Sequence, residues 1–275
     1  MKTARFWTRA EEGFEDVRVT ARGWSDESIE SARAKAREIA RRVAERIAGD
    51  SGKSQRYPYG DRPLPEPILR EFSGAIVTRN VYGALVLNTE RLMFVDVDRK
   101  DTPKTSGGGL FASLFGKPKP TAPASANPLI DAMKEVSVRH GLSGRLYETA
   151  AGYRLLITSA AFQAGTDETE MLLNEFHSDP LYIRLCRMQE SFRARLTPKP
   201  FRIDFRNPPG EFPFETPSDQ AAQDRWVAEY EAKSRLFATC RFVESIGGSV
   251  VAPGFDELIQ YHDSESKASS GLQLA

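Results

Sequence analysis

Three strand-like segments follow one another between residues 75 and 98, joined by links too short to hold a helix: Ala75 to Arg79, Ala84 to Asn88, and Leu92 to Asp98. A parallel pair needs a crossover of about a dozen residues or more, so strands joined this tightly run antiparallel. The Asn88-Thr89-Glu90 link predicts that the last two form a hairpin. A second hairpin is expected from Gly144 to Thr149 and Tyr153 to Thr158, turning at Ala150-Ala151-Gly152. Helical patterns are interspersed with these strands without strict alternation. The expected class is therefore α+β, a mixed or antiparallel sheet covered by helices, rather than a doubly wound parallel sheet.

The helices carry terminal signals. After a strand from Glu15 to Ala21, Ser25 reads as an N-cap with Trp24 before it, and Ile29, Ala32, Ala36, Ile39, Val43 and Ile47 form one stripe ending at Gly49. Asn127-Pro128 opens a helix that Gly141 closes, Asp167 to His177 reads as another, and Asp179-Pro180 starts one running to about Phe192. Phe201 to Arg206 reads as a short strand, Ser218 to Lys233 as a helix, and Phe237 to Ser245 as strand or helix. The divisions expected are an N-terminal strand, helix and loop region over 1–74, an α+β core over 75–262, and a disordered Ser-rich tail over 263–275. A flexible insertion is expected within the core at 99–127, where Gly107-Gly108-Gly109 and Lys117-Pro118-Lys119-Pro120 break the pattern. The apolar Leu110 to Phe115 inside it reads as a docking, lid or partner-binding segment, and Tyr57 to Pro63 as a rigid loop able to line a pocket or merely connect.

With Lys+Arg and Asp+Glu equal at 38, a nucleic-acid or membrane partner needs a local patch. No segment approaches the length of a membrane span. Two cysteines, Cys186 and Cys240, make no disulfide framework and are expected as buried thiols in a reducing cytoplasm.

The chemistry concentrates in Arg91-Leu92-Met93-Phe94-Val95-Asp96-Val97-Asp98. Residues i and i+2 of a strand share a face, so Asp96 and Asp98 lie side by side at its end. Like charges so placed are held together by a divalent cation with oxygen ligands, and Mg²⁺ or Mn²⁺ at such a pair serves phosphoryl transfer. The plainer alternative is one Asp facing solvent while the other caps the turn.

The order of a strand ending Asp-Val-Asp, a loop, a helix, and a hairpin containing Gly152-Tyr153-Arg154 resembles the catalytic core of the archaeo-eukaryotic primase-polymerase superfamily, over roughly residues 75 to 205. The resemblance implies an RRM-like palm, metal ions on Asp96 and Asp98, and template-directed nucleotide addition. Arg154 stands where that family has a histidine contacting the triphosphate, and its forked donors suit phosphate. Asp204, in Arg202-Ile203-Asp204-Phe205, is the candidate third acid. The chain is also similar to bacterial proteins that share Tyr-Gly-Asp-Arg-Pro and Thr-Pro-Lys-Pro-Phe-Arg, a likeness that carries no function.

A second candidate lies from Arg184 to Arg202, the densest basic run. Arg184, Arg187, Arg193, Arg195, Lys199 and Arg202 are interleaved with Phe192 and Phe201, as in single-strand grooves. Arg154, Arg187, Arg193, Arg195 and Lys199 are the expected phosphate contacts. His140, His177 and His262 lack metal-ligand spacing and read as surface or capping residues, and no phosphate-cradling glycine loop or nucleophile elbow appears. Three functions follow: a metal-dependent nucleotidyltransferase acting on nucleotides or single-stranded nucleic acid; a non-catalytic nucleic-acid- or protein-binding module on the same fold; or an interaction protein using Leu110 to Phe115.

Overall fold

A computed structural model describes residues 1–49, 62–99 and 127–275. The chain opens with a long hairpin, β1 (Phe6–Phe14) and β2 (Val17–Ser25), turning at Glu15-Asp16, where Glu15 adopts φ +51°. The expected strand from Glu15 to Ala21 thus begins on a turn, and β1 carried no apolar alternation to announce it. Helix α1 (Ile29–Ala48) packs along both strands through small residues, burying Ala32, Ala36, Ala40 and Ala44. Contact is so close that a Cβ at Gly23 would lie 2.1 Å from the Ala32 carbonyl oxygen. The N-cap is Ser28, whose Oγ accepts the Ser31 N–H at 3.0 Å, not Ser25, which is still strand. The apolar stripe is rotated accordingly, and Ile47 is exposed.

β3 (Ile68–Phe72), β4 (Ala75–Arg79) and β5 (Leu85–Thr89) form an antiparallel sheet, so the core sheet starts before residue 75. β6 (Phe94–Asp98) does not pair with β5 as the short link suggested. The Thr89 hydroxyl donates to the Leu92 carbonyl at 2.6 Å and the chain leaves the first sheet there. α2 (Pro128–Arg139) is capped by Asn127 as expected and leads to the hairpin β7 (Gly144–Thr149) and β8 (Gly152–Ile157), with β6 on the far side of β8. α3 (Asp167–Glu175) and α4 (Pro180–Gln189) follow, and β9 (Phe192–Arg195) returns to flank β5. Pro200–Ile203 is a 3-10 turn rather than the expected strand. Then come α5 (Pro217–Ser234), β10 (Phe237–Ala238), β11 (Cys240–Ile246) beside β7, α6 (Asp256–Glu265) and β12 (Gln273–Leu274).

The two four-stranded sheets, ordered β3-β4-β5-β9 and β11-β7-β8-β6, meet at their edge strands β9 and β6. Tyr182 of α4 is wedged between them: its hydroxyl donates to the Phe94 carbonyl (3.0 Å) and accepts the Arg193 N–H (3.4 Å). Asp179 N–H and the Ser178 hydroxyl satisfy the Asp96 carbonyl in the same gap. A side chain and a helix start thus satisfy the edge groups that a ladder would otherwise pair. The α+β class holds. The expected disordered tail does not: β12 pairs in parallel with β10, Phe242 N–H donates to the Ala268 carbonyl, and Ser266, Ala268 and Ala275 are buried. Small residues, which read as low complexity, here fit tight sites. Among the described residues no helix is long and apolar enough to cross a membrane. Leu110–Phe115 and residues 57–61 lie outside the described residues, so the expectations placed on them have no structural counterpart.

Candidate functional site

The sheet register decides what Asp96 and Asp98 can do. Asp96 lies opposite Arg154 and Asp98 opposite Gly152. Directly opposed residues share a face, and one row runs Phe242, Tyr147, Arg154, Asp96 across β11, β7, β8 and β6. Arg154 is 3% exposed and grips both carboxylate oxygens of Asp96, Nε to Oδ1 at 2.8 Å and Nη2 to Oδ2 at 3.3 Å. Its Nη1 donates to the Arg195 carbonyl at 3.1 Å, which ties β8 to β9 across the sheet junction. Burial opposes the guanidinium's charge, but Asp96 more than compensates, and the group is held above its ordinary value.

Beneath this pair lies a polar cluster that the spacing of the histidines did not announce. His262, expected as a surface or capping residue, is fully buried between Tyr147 and Phe94, with Nδ1 3.0 Å from Asp263 Oδ1 and Nε2 3.5 Å from Arg154 Nη1. Burial pushes the Cys240 thiol up, yet His262 and Arg154 leave it below its ordinary value. Cys240 is fully buried too, so the thiol and imidazole of this Cys-His-Asp grouping lie against Arg154 with no face to solvent, and only Asp263 is partly exposed. Cys186 is also a buried free thiol, as expected.

Asp98 is different. Gly152 has no side chain to cover it, and the backbones pass so closely that a Cβ at Gly152 would sit 2.0 Å from the Val97 carbonyl oxygen. The exposed Asp98 carboxyl is raised above its ordinary value, first by partial burial, then by Asp179 and Asp96, while Arg202 and Lys199 act in the opposite sense. The acid that joins the pair is thus Asp179, the N-cap of α4, whose Asp-Pro sequence reads only as a helix start. Asp204, the expected third acid, is exposed on a left-handed residue (φ +50°) after the 3-10 turn, with its carbonyl accepting from Lys233 Nζ.

The basic run divides into two sets. Arg187 is committed to Glu170 (2.7 Å) and Asp167 (3.4 Å), Arg193 to the buried Glu66 (2.8 Å), and Arg154 to Asp96, so these three expected phosphate contacts already hold carboxylates. Arg195 and Lys199 do not. The guanidinium of Arg195 has no carboxylate partner among the described residues, and its Nε is sealed from solvent without a hydrogen bond. Burial, then Arg154 and Arg202, pull Arg195 down to about 10. Lys199 is lowered by burial and then by Arg195 and Arg202, with Asp98 acting in the opposite sense. Lys199 Nζ sits between two exposed rings, 5.6 Å from the centroid of Tyr82 and 5.7 Å from that of Phe201. The segment is held from below by Tyr230 of α5, whose hydroxyl donates to the Pro198 carbonyl at 2.6 Å and shares a hydrogen bond with Thr197 Oγ1.

A divalent metal shared by Asp96 and Asp98 does not fit this arrangement. Both Asp96 oxygens are engaged by a guanidinium, and among the described residues no three His, Cys, Asp or Glu side chains are grouped to hold an ion. What the arrangement offers is three mutually coupled cations, Arg195, Lys199 and Arg202, of which Lys199 and Arg202 also act on Asp98, with the exposed rings of Tyr82 and Phe201 beside Lys199. Such a set suits a phosphate ester with a stacked base. Comparison with family models, curated proteins and solved structures yields no match to this chain.

Proposed function

We propose that this chain is a binding protein for single-stranded nucleic acid, with backbone phosphates on Arg195, Lys199 and Arg202 and bases stacked on Phe201 and Tyr82. The observation that carries the reading is a set of crowded cations in which, among the described residues, no carboxylate is bonded to Arg195 or Lys199. Burial first, and then the packing of like charges, depresses Arg195 and Lys199, and an incoming polyanion would relieve the second of these. Phe201 is 62% exposed and Tyr82 46%, which leaves both ring faces open to a stacked base. On this reading the likeness to the primase-polymerase superfamily extends to the palm-like sheet and to phosphate recognition, and not to its metal centre. Arg154, in place of the histidine, neutralises the first acid.

The test is fluorescence anisotropy with a labelled oligothymidylate of a dozen nucleotides, alongside a free nucleoside triphosphate. Three phosphate contacts on a single strand predict a log–log salt slope of about −2. Lys199→Glu/Arg202→Glu should abolish binding, Phe201→Ala should weaken it about tenfold or more, and Mn²⁺ should leave it unchanged. Binding that ignores both the salt and the charge reversals refutes the proposal. Tighter binding of the triphosphate with Mn²⁺ than without it favours the nucleotidyltransferase reading instead.

A further inference from the structure

Four side chains beside one another alternate in kind: Tyr82, Lys199, Phe201 and Arg202 run ring, cation, ring, cation. Lys199 Nζ lies 5.6 Å from the Tyr82 centroid and 5.7 Å from that of Phe201, and the Arg202 guanidinium lies 6.0 Å from Phe201. A nucleic-acid strand alternates in the same way, because each phosphodiester joins two nucleosides. One cation equally close to two exposed rings therefore suits one phosphate and the two bases that it joins. A mononucleotide brings a single base and leaves one ring unused.

The spacing is set by the backbone. Tyr82 stands on the turn between β4 and β5, where Asn80 Oδ1 accepts the N–H groups of Tyr82 (3.0 Å) and Ala84 (3.1 Å). The next residue, Gly83, adopts φ +81° and passes so close to α5 that a Cβ would lie 2.2 Å from the Trp226 ring. Lys199 is held between two prolines, of which Pro198 accepts from the Tyr230 hydroxyl at 2.6 Å and Pro200 is buried. Pro200 opens the 3-10 turn that carries Phe201 and Arg202, and its carbonyl accepts the Phe205 N–H at 3.0 Å. The two segments are tied together, since Leu85 N–H donates to Thr197 Oγ1 at 2.9 Å. Beneath them Trp226 and Tyr230 of α5 stack on each other, 4.9 Å between centroids. Side chains carried on backbone fixed in this way lose less freedom when a ligand arrives.

Resting on the nucleic-acid reading above, we infer that the unit recognised here is one dinucleotide step bearing a second phosphate at one end. The joining phosphodiester lies on Lys199, its two bases lie on Tyr82 and Phe201, and the end phosphate lies on Arg202.

Displacement of the labelled oligothymidylate from the full chain, read by anisotropy, tests this with unlabelled thymidine compounds. The dinucleoside monophosphate TpT should compete at a concentration about tenfold lower than thymidine 5′-(methyl phosphate), which has the same charge and one base fewer. A neutral methylphosphonate in place of the joining phosphate should cost TpT about tenfold. Either pTpT or TpTp should compete better than TpT, and the one that does so gives the direction of the strand. Tyr82→Ala should erase the advantage of TpT over the methyl phosphate. Equal competition by TpT and the one-base compound, or by TpT and its methylphosphonate, overturns the inference, and a gain from neither end phosphate overturns the place given to Arg202. These ligand comparisons decide on the wild-type chain, whatever the variant does. Should the labelled oligonucleotide itself fail to bind, the nucleic-acid reading falls and this inference with it; binding without a dinucleotide advantage removes the inference alone.

Discussion

Removing the Asp96 carboxylate separates two pictures of the Asp-Val-Asp strand by the sign of its effect on stability. If Asp96 and Asp98 were bare acids awaiting a cation, Asp96→Ala would relieve repulsion in the metal-free protein and stabilise it. Here Asp96 instead neutralises Arg154, a guanidinium 3% exposed and bonded at 2.8 and 3.3 Å. Breaking a buried pair by deleting one member typically costs about 3–5 kcal/mol, because a buried charge is left alone. Asp96 keeps 31% of its side-chain surface exposed, so screening by solvent puts the effect at the lower end, about 3 kcal/mol. At about 2 °C or more per kcal/mol for a chain of this size, the melting temperature should fall by about 6 °C or more. Arg154→Met should cost less, since the stranded carboxylate can reach water where the stranded guanidinium cannot. The double variant should be no worse than Asp96→Ala alone, giving a coupling of about 1–3 kcal/mol in a double-mutant cycle. Denaturant unfolding of the four proteins without metal measures all three terms. A stabilised Asp96→Ala, or strictly additive single effects, refutes the reasoning.

The other expectations concern the same strands. Gly152→Ala places a Cβ 2.0 Å from the Val97 carbonyl oxygen, so β6 and β8 must part, and a loss of about 2 kcal/mol or more is expected in thermal unfolding. Tyr182→Phe strips the hydroxyl that joins Phe94 O to Arg193 N; it should cost about 1–2 kcal/mol and speed hydrogen exchange of the Arg193 amide, and unchanged exchange would count against a bridging role. Because burial, Asp179 and Asp96 raise the Asp98 carboxyl above its ordinary 3.8, the folded chain holds that proton more tightly than the unfolded chain. This group's contribution to stability is therefore most favourable below pH 3.8 and declines as pH rises through its folded value. Asp98→Asn should flatten that slope in denaturation midpoints taken from pH 3.5 to 7 and should tighten oligonucleotide binding by removing a negative charge from the cationic rim. Weaker binding in Asp98→Asn would point back to an acid that holds a cation.

Local signals were legible in the chain where they are local in cause. Asn127-Pro128 and Asp179-Pro180 open helices because a capping oxygen and a fixed φ act within one turn. The Gly144–Ile157 hairpin is readable because its turn and both strands are contiguous. Pairing between distant segments left no such trace: β9 beside β5, β6 beside β8, and β12 beside β10 are decided by which edge each strand finds after the chain has collapsed. The candidate site shows the same division. Composition and spacing single out Asp96, Asp98 and a run of cations, since charge is written in the sequence. Only the register between β6 and β8 shows that Arg154 consumes Asp96, and only the packing of α3 on α4 and of Glu66, just before β3, on β9 shows that Arg187 and Arg193 are already paired while Arg195 and Lys199, among the described residues, are not. A side chain's type sets what it can bind; the partners brought beside it by the tertiary fold set whether it is free to do so.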